Sequence, residues 1–249
     1  MSMNAFWILT AQIGCWEYTE QALQDFLALV LPPGYSRLQV LLTDNSAGSD
    51  EQADVEARRR ALQVARTCEG WGLHVWTPEP AQTLCATWNT QLRAAWLSGA
   101  DCALVVNNDV RVPRYLASHL WQIQRATKAL LVTPVNVGEA YQHDAPIGML
   151  DLPQLLHAPR GGPDYSCFLI TRECHEKYPF DDRFTYYGDN DHHERIKAAG
   201  EGERVFGLPI PYQHFGSKTI HRSEAAREKG QAHFDQCQKL YLEKWGKLP

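Results

Sequence analysis

An apolar run in the middle of the chain leads directly into a polar cluster that ends in a carboxylate. Residues 103–106 (Ala-Leu-Val-Val) are followed by Asn107, Asn108 and Asp109. A continuous apolar run of this kind predicts a strand that is buried on both faces, as in a parallel sheet. Ligands of open α/β sheets bind beyond the carboxyl ends of such strands, so Asp109 is expected at a binding site. Because Asn and Asp also favour turns, a plain turn is the alternative interpretation.

Predicted strands and helices alternate through the first half of the sequence. Strands are expected at residues 6–10, 38–43, 74–76, 104–106 and 130–135, and helices at 18–31, 51–68, 83–97 and from 113 onwards. This alternation is typical of a parallel sheet covered by helices. The second half is less regular, with strands expected at 165–170 and 204–208 and helices at 191–199 and 223–244. The sequence contains no internal repeat and no clean linker, so its 249 residues are expected to share one core.

Composition narrows the class of protein. The formal net charge of -5 disfavours an extended nucleic-acid interface without excluding a local one. The seven cysteines include no C-x-x-C pair, which argues against a disulfide scaffold and a structural zinc site and favours a reducing cytoplasm. No stretch reaches the roughly 20 apolar residues of a transmembrane helix. We therefore expect a cytoplasmic protein without a transmembrane segment, for which any membrane association is peripheral.

Six segments with distinctive residues follow one another along the chain. They are 44–46 (Asp-Asn-Ser), Asn89, 107–109 (Asn-Asn-Asp), 186–191 (Tyr-Tyr-Gly-Asp-Asn-Asp) with Arg195 and Gly200, 214–217 (His-Phe-Gly-Ser) and 244–246 (Lys-Trp-Gly). Together, and in this order, they resemble the family 2 glycosyltransferases of the GT-A fold over almost the whole chain. The resembled pattern at 186–191 is Y-Y-E-D-x-D, so Gly188 stands in the place of a glutamate.

The resemblance implies an α/β protein with the GT-A, Rossmann-like fold, in which helices cover both faces of a mostly parallel central sheet. Residues 1–249 would form a single domain, with about 1–109 binding the nucleotide sugar and about 110–249 binding the acceptor. The implied reaction is a metal-dependent, inverting transfer of a sugar from a nucleotide-diphosphate donor to a hydroxyl of a glycan, a lipid-linked, a small-molecule or another acceptor. Two alternatives stay open, since fold does not determine function: a non-catalytic module that binds nucleotide sugars or glycans, and a nucleotidyltransferase.

Asp109 and His214 are the metal ligands that the resemblance implies. A carboxylate combined with an imidazole suits Mn²⁺ better than Mg²⁺, which prefers a site made only of oxygen atoms. The cation would act as a Lewis acid on the leaving phosphates. The alternative for His214 is an ordinary surface or core histidine.

Five further residues are expected to bind the donor. By resemblance, Asp44 contacts the nucleotide base or ribose and Asn89 belongs to the same site, while Asn107 would orient the ribose or a metal-bound water. Lys218 and Arg222 follow the late histidine, where a cation would stabilise the diphosphate. The alternatives are an Asx turn at Asp44 and a solvated basic loop around Lys218 and Arg222.

Asp189 is the implied general base of the reaction. A carboxylate positioned beside the acceptor hydroxyl takes its proton and contributes roughly 10²–10⁴-fold to the rate. Asp191 is the rival candidate for this catalytic role. Two structural alternatives exist for Asp191, a pair with Arg195 four residues later and a cap at the start of a helix.

Overall fold

One sheet with helices on both faces is the framework of the protein. The computed structural model describes residues 4–12, 14–45, 52–66, 71–142, 156–157, 163–216 and 224–249. The strands in this part of the chain are β1 (Ala5–Gln12), β2 (Arg37–Asp44), β3 (Trp71–Trp76), β4 (Cys102–Val106), β5 (Val110–Arg111), β6 (Leu131–Asn136), β7 (Leu156–His157), β8 (Cys167–Thr171) and β9 (Val205–His214). The helices are α1 (Trp16–Leu27), α2 (Gln52–Arg66), α3 (Leu84–Leu97), α4 (Leu116–Thr127), α5 (Arg172–Lys177), α6 (Gly188–Ala198) and α7 (Glu224–Trp245).

The strands are arranged in the order β3-β2-β1-β4-β8-β6-β9-β5, and β7 also pairs with β9. Neighbours are parallel from β3 to β4 and between β6 and β9. Strand β8 is antiparallel to both β4 and β6, and the short strands β5 and β7 are antiparallel to β9. The expected α/β architecture with a mostly parallel sheet is therefore confirmed.

The two faces of the sheet carry separate hydrophobic clusters. Along β4, Leu104 and Val106 belong to the cluster under α1, α2 and α4, whereas Ala103 and Val105 belong to the cluster under α3, α5, α6 and α7. Successive side chains of a strand point to opposite faces, so a strand covered on both sides must be apolar at every position. This explains the unbroken apolar run from which the sheet was predicted.

Several predicted boundaries differ from the structure. Helix α6 begins at Gly188, three residues before the expected start, because Tyr187 adopts a left-handed backbone conformation (φ 63°) and ends the preceding segment. Helix α3 begins after Thr83, whose hydroxyl accepts a hydrogen bond from the Ala86 amide. Strands β5 and β7 and helix α5 were not predicted, since two to six residues are too few to show a period. Among the described helices, none combines the length and the apolar character that a membrane span needs.

Candidate active site

A cavity of 480 Å³ opens at the edge of the sheet where β1 and β4 end. Its walls come from separate parts of the chain, namely Ala11, Leu84, Cys85, Trp88, Asn107, Asn108, Asp109, Pro163, Asp164, Tyr165, Ser166, Thr185, Tyr186, Tyr187, Gly188, Asp189, Asn190, His214 and Phe234. The carboxyl ends of parallel strands are the usual ligand-binding edge of an open α/β sheet. Asp109 lines this cavity just beyond the carboxyl end of β4.

Asp109 and His214 lie side by side because a short antiparallel pairing joins the segments that carry them. Val110 of β5 pairs with His214 at the end of β9, and the Phe215 amide donates a 2.9 Å hydrogen bond to the Asp109 carbonyl. As a result, Asp109 Oδ1 is 3.1 Å from His214 Nε2 on the cavity wall. Two residues that are distant in sequence thus present their side chains to the same space.

Two further residues surround the imidazole of His214. Ser166 Oγ lies 2.9 Å from His214 Nδ1, and Asp164 Oδ1 accepts a 2.9 Å hydrogen bond from the Ser166 amide. Burial acts to lower the pKa of His214, but the hydrogen bond and charge of Asp109, together with the charge of Asp164, raise it above its ordinary value. Sequence reasoning did not find Asp164 or Ser166, which precede a strand without any recognisable motif.

Asp109 and His214 have the chemistry to hold a divalent cation. Within the residues that the structure describes, no group of three His, Cys, Asp or Glu side chains converges on one point. The described residues therefore offer one carboxylate and one imidazole here, which fits a cation that completes its coordination with phosphate oxygens and water. A mixed oxygen and nitrogen donor set of this kind is compatible with Mn²⁺.

Asp189 faces the cavity from the first turn of α6. Burial raises the pKa of its carboxyl, and the backbone amides of Asn190 and Asp189 oppose the shift by hydrogen bonding to the charged form. The net result is a pKa above the ordinary value for an aspartate. A carboxylate with a raised pKa is a stronger base, which suits the predicted role in accepting a proton.

Gly188 lies where α6 approaches the start of α3. A Cβ atom at this position would overlap Cys85 Sγ and would lie 3.2 Å from the Cβ of Phe184. Cys85 is itself buried, with 1% of its surface exposed. The packing of these two helices therefore leaves no room at position 188 for the glutamate of the resembled pattern.

The structure places Asp191, the rival candidate for the general base, in the packing between α6 and α7. Asp191 is fully buried and does not line the cavity. Its carboxylate accepts hydrogen bonds of 3.0 Å from Arg195 Nε and 3.0 Å from Trp245 Nε1, and it forms an ion pair of 2.7 Å with Lys244 Nζ. The alternative interpretation, a pair with Arg195, is confirmed, and the contacts to Trp245 and Lys244 fasten the end of α7 to α6.

Asn89, which was predicted to bind the donor, does not line the cavity. Its amide nitrogen donates to the Phe180 carbonyl (2.7 Å) and to Asp182 Oδ1 (2.5 Å). Its amide oxygen accepts from the Phe180 amide (3.0 Å) and pairs with His175 Nε2 (2.9 Å). The side chain is buried and engaged at both ends, so it holds the segment after α5 against α3, and a contact with the donor stays a prediction.

The other predicted donor residues lie in different surroundings. Asn107 lines the cavity. Asp44 stands at the carboxyl end of β2, outside the cavity lining, where Gln12 Nε2 (3.3 Å) and Arg58 NH2 (3.4 Å) contact its carboxylate. Its contact with a nucleotide stays a prediction. Lys218 and Arg222, like Ser46, lie outside the described residues.

An aromatic wall borders the cavity on the side of α6 and α7. The ring of Phe234 packs against Tyr186 and Tyr187, with centroid distances of 5.5 Å and 5.3 Å, and Trp88 lines the same cavity. The tyrosines belong to a motif that the sequence revealed, but Phe234 belongs to none. It reaches the site only because α7 packs beside the start of α6.

Comparison with solved structures identifies the fold as that of GT-A glycosyltransferases. The mannosyltransferase PcManGT from Pyrobaculum calidifontis is 18% identical, with a TM-score of 0.62 over 98% of this chain and 65% of that one. Residues 1–349 of TarS from S. aureus are 12% identical, with a TM-score of 0.57 over 88% of this chain and 63% of that one. Glucosyl-3-phosphoglycerate synthase from Mycobacterium tuberculosis is 15% identical, with a TM-score of 0.60 over 100% of this chain and 82% of that one.

These identities are low enough that the likeness shows the fold alone. The chain spans less than two thirds of the length of the TarS fragment and of PcManGT. No protein-family model and no curated protein matches the sequence. The resemblance read from the sequence is thus confirmed for the fold, and the chemistry must be argued from the cavity itself.

Proposed function

We propose that the protein is a metal-dependent, inverting glycosyltransferase that moves a sugar from a nucleotide-diphosphate donor to an acceptor hydroxyl. The observation that carries this proposal is the convergence of Asp109, His214 and Asp189 on one cavity at the ligand-binding edge of the sheet. Proteins of the same fold support it. PcManGT was solved with GDP-Man and Mn²⁺, TarS with UDP-GlcNAc, and the M. tuberculosis synthase with Mn²⁺ and UDP.

The donor occupies the part of the cavity beside β4 and β9. Asp109 and His214 hold a divalent cation, Mn²⁺ in preference to Mg²⁺, which supplies positive charge against the leaving diphosphate. Asn107 orients the ribose or a water, and Asp44 contacts the nucleoside. Lys218 and Arg222, which follow His214 in sequence, add positive charge near the phosphates.

Asp189 acts as the general base. As the acceptor oxygen forms its bond to the anomeric carbon, the Asp189 carboxylate takes the hydroxyl proton. The bond between the anomeric carbon and the diphosphate oxygen breaks at the same time, and the nucleoside diphosphate leaves with the bonding electrons. A single displacement of this kind inverts the configuration at the anomeric carbon.

The acceptor approaches from the second half of the chain. Tyr186, Tyr187 and Phe234 give the cavity an apolar surface on which a ring or another apolar part of the acceptor can rest. The residues up to about 109 then bind the donor and those after it bind the acceptor, except that His214, Lys218 and Arg222 serve the diphosphate of the donor. The six cysteines in the described part are buried and form no disulfide with one another, which supports a reducing, cytoplasmic location.

Thermal stabilisation by nucleoside diphosphates, with and without Mn²⁺, tests the donor site. A ligand that binds the native state raises its melting temperature by mass action. We expect a Mn²⁺-dependent rise with one of UDP, GDP, ADP, CDP or dTDP, and we expect Asp109→Ala to abolish it. Asp235→Ala, which removes an exposed carboxylate on α7, is the matched control and should keep the full rise.

The melting experiment, together with assays for release of nucleoside diphosphate and of pyrophosphate, separates the candidate functions. No rise with any of the nucleotides in the presence of Mn²⁺ would contradict the proposal. A rise without any Mn²⁺-dependent release of nucleoside diphosphate from the matching nucleotide sugar would favour the non-catalytic binding module. Release of pyrophosphate from a nucleoside triphosphate would favour the nucleotidyltransferase.

A further inference from the structure

Ser166 contacts both chain segments that carry the proposed metal ligands. Its side-chain Oγ lies 2.9 Å from His214 Nδ1. Its backbone carbonyl accepts a 2.8 Å hydrogen bond from the amide of Asn107, two residues before Asp109. One residue at the amino end of β8 therefore links the loop after β4 to the last residue of β9.

The position of Ser166 is itself fixed by backbone contacts. The Asn107–Ser166 hydrogen bond extends the antiparallel ladder of β4 and β8, in which Val106 pairs with Cys167. On its other side, the Ser166 amide donates to Asp164 Oδ1 over 2.9 Å. The hydroxyl is thus presented to His214 from a well-supported piece of backbone, which is the condition for orienting a neighbouring ring.

The contact with Ser166 engages Nδ1 of His214, while Nε2 is directed toward Asp109 on the cavity wall. His214 Nε2 points to Asp109, so Nδ1 is the nitrogen that can hold the ring in place through a hydrogen bond. A neutral imidazole that binds a metal through Nε2 carries its proton on Nδ1, and Ser166 Oγ can accept a hydrogen bond from this Nδ1–H group. Metal-binding histidines generally have such a partner, and its loss weakens metal binding by about 10–100-fold.

We propose that Ser166 is a positioning residue for the metal site, whose hydroxyl fixes the ring of His214 with Nε2 directed toward Asp109. This inference rests on the proposed function, because it requires a divalent cation at Asp109 and His214. Although Ser166 lines the cavity, the proposed role acts through the ring of His214 and not through the donor or the acceptor. Its effect should consequently be visible in metal affinity before any turnover is measured.

The test is the dissociation constant of Mn²⁺ from the protein, measured through the electron paramagnetic resonance signal of the free ion. It is measured for Mn²⁺ alone and for Mn²⁺ together with UDP or GDP. Ser166→Ala and Ser166→Val remove the hydroxyl and should weaken binding by about 10–100-fold. Ser166→Thr keeps the hydroxyl, has nearly the shape of valine, and should bind within about threefold of the unaltered protein. Ser118→Ala removes a buried hydroxyl on α4, away from the cavity, and should leave Mn²⁺ binding unchanged.

Melting temperatures without metal show whether each variant is folded. If Ser166→Ala binds Mn²⁺ as tightly as the unaltered protein, the positioning role is wrong while the proposed metal site survives. Equal weakening by Thr and Val also overturns it, since the hydroxyl then makes no difference. If the unaltered protein binds no Mn²⁺ under any of these conditions, the metal site of the proposed function fails, and this inference fails with it.

Discussion

Asp189 and Asp191 stand two positions apart on the first turn of α6, yet they face opposite surroundings. Asp189 lines the cavity, whereas Asp191 is fully buried against Arg195, Lys244 and Trp245. Residues two apart on a helix are separated by about 200° around its axis, so both cannot face the same space. The geometry therefore favours Asp189 over Asp191 as the proposed general base and gives Asp191 a role in helix packing, and each role can be tested separately.

Replacing Asp189 by Asn should remove the base while keeping the size of the side chain. We expect kcat for release of nucleoside diphosphate from the donor to fall by about 10²–10⁴-fold, because a carboxamide cannot accept the proton. The nucleotide-induced rise in melting temperature should stay unchanged, since donor binding does not use this group. A variant with nearly normal kcat would show that another residue is the base.

Replacing Asp191 by Asn should mainly destabilise the fold. The amide cannot pair with the charges of Arg195 and Lys244, and the free energy of unfolding should fall by roughly 2–3 kcal/mol, as for the loss of charged hydrogen bonds. Urea unfolding measures this change, and kcat of the folded variant should stay within a few fold of normal. A well-folded Asp191→Asn protein without activity would indicate that Asp191 takes part in catalysis.

The contact between Gly188 and Cys85 gives a prediction about packing. Gly188→Ala should destabilise the protein, because its new Cβ would overlap Cys85 Sγ. Overpacking of a buried site typically costs about 1–3 kcal/mol. Cys85→Ala removes the overlapping sulfur, so the alanine at 188 should cost less in that background. A double-mutant cycle by urea unfolding measures this coupling, and strictly additive effects would mean that the two side chains do not compete for space.

The sequence predicted those parts of the fold that depend on neighbouring residues. The apolar run at 103–106 is continuous because β4 is covered on both faces, and Asp109 follows it at the edge where α/β sheets bind ligands. The proximity of Asp109 to His214 could be expected only from the family resemblance. It depends on the pairing of β5 with β9, and a two-residue strand carries no periodic signal.

The partners of a polar residue could not be predicted where they lie in distant parts of the chain. Asn89 forms hydrogen bonds with Phe180 and His175, and Asp191 forms one with Trp245. Each of these partners lies more than 50 residues away in the sequence. Residue type alone does not distinguish an amide that binds a ligand from one that satisfies a buried backbone. A polar side chain inside a protein needs partners, and only the tertiary structure shows which partners it has.

The role assigned to Asn89 predicts a loss of stability without a loss of donor affinity. Asn89→Ala should lower the free energy of unfolding by about 2–4 kcal/mol, because it leaves buried groups at Phe180 and His175 without their partner. Asn107→Ala is the matched comparison, since Asn107 lines the cavity, and it should raise the donor KM with little effect on stability. If Asn89→Ala raised the donor KM while keeping normal stability, the result would support a contact between Asn89 and the donor.

The same buried network links stability to pH through His175. Its Nδ1 accepts a 2.9 Å hydrogen bond from Trp96 Nε1, and its Nε2 pairs with Asn89 Oδ1 over 2.9 Å. A neutral imidazole with one donor and one acceptor satisfies both contacts, whereas a proton on Nδ1 would break the first. Burial, assisted by the charge of Arg93, lowers the pKa of His175 to about 4.

Acid should therefore destabilise the protein in a defined pH window. Protons bind His175 of the unfolded chain near the ordinary pKa of about 6.5 but bind the folded protein only near 4, so the stabilisation is complete above about pH 6.5 and is lost as the pH falls toward 4. The loss over this window is about 3 kcal/mol, and buried His192, whose pKa is also lowered, acts in the same direction. Urea unfolding at several pH values between about 7 and 4.5 should show a shallower slope for His175→Gln, whose amide can keep both contacts without titrating. An equal slope in the variant and the unaltered protein would mean that His175 does not control the acid sensitivity.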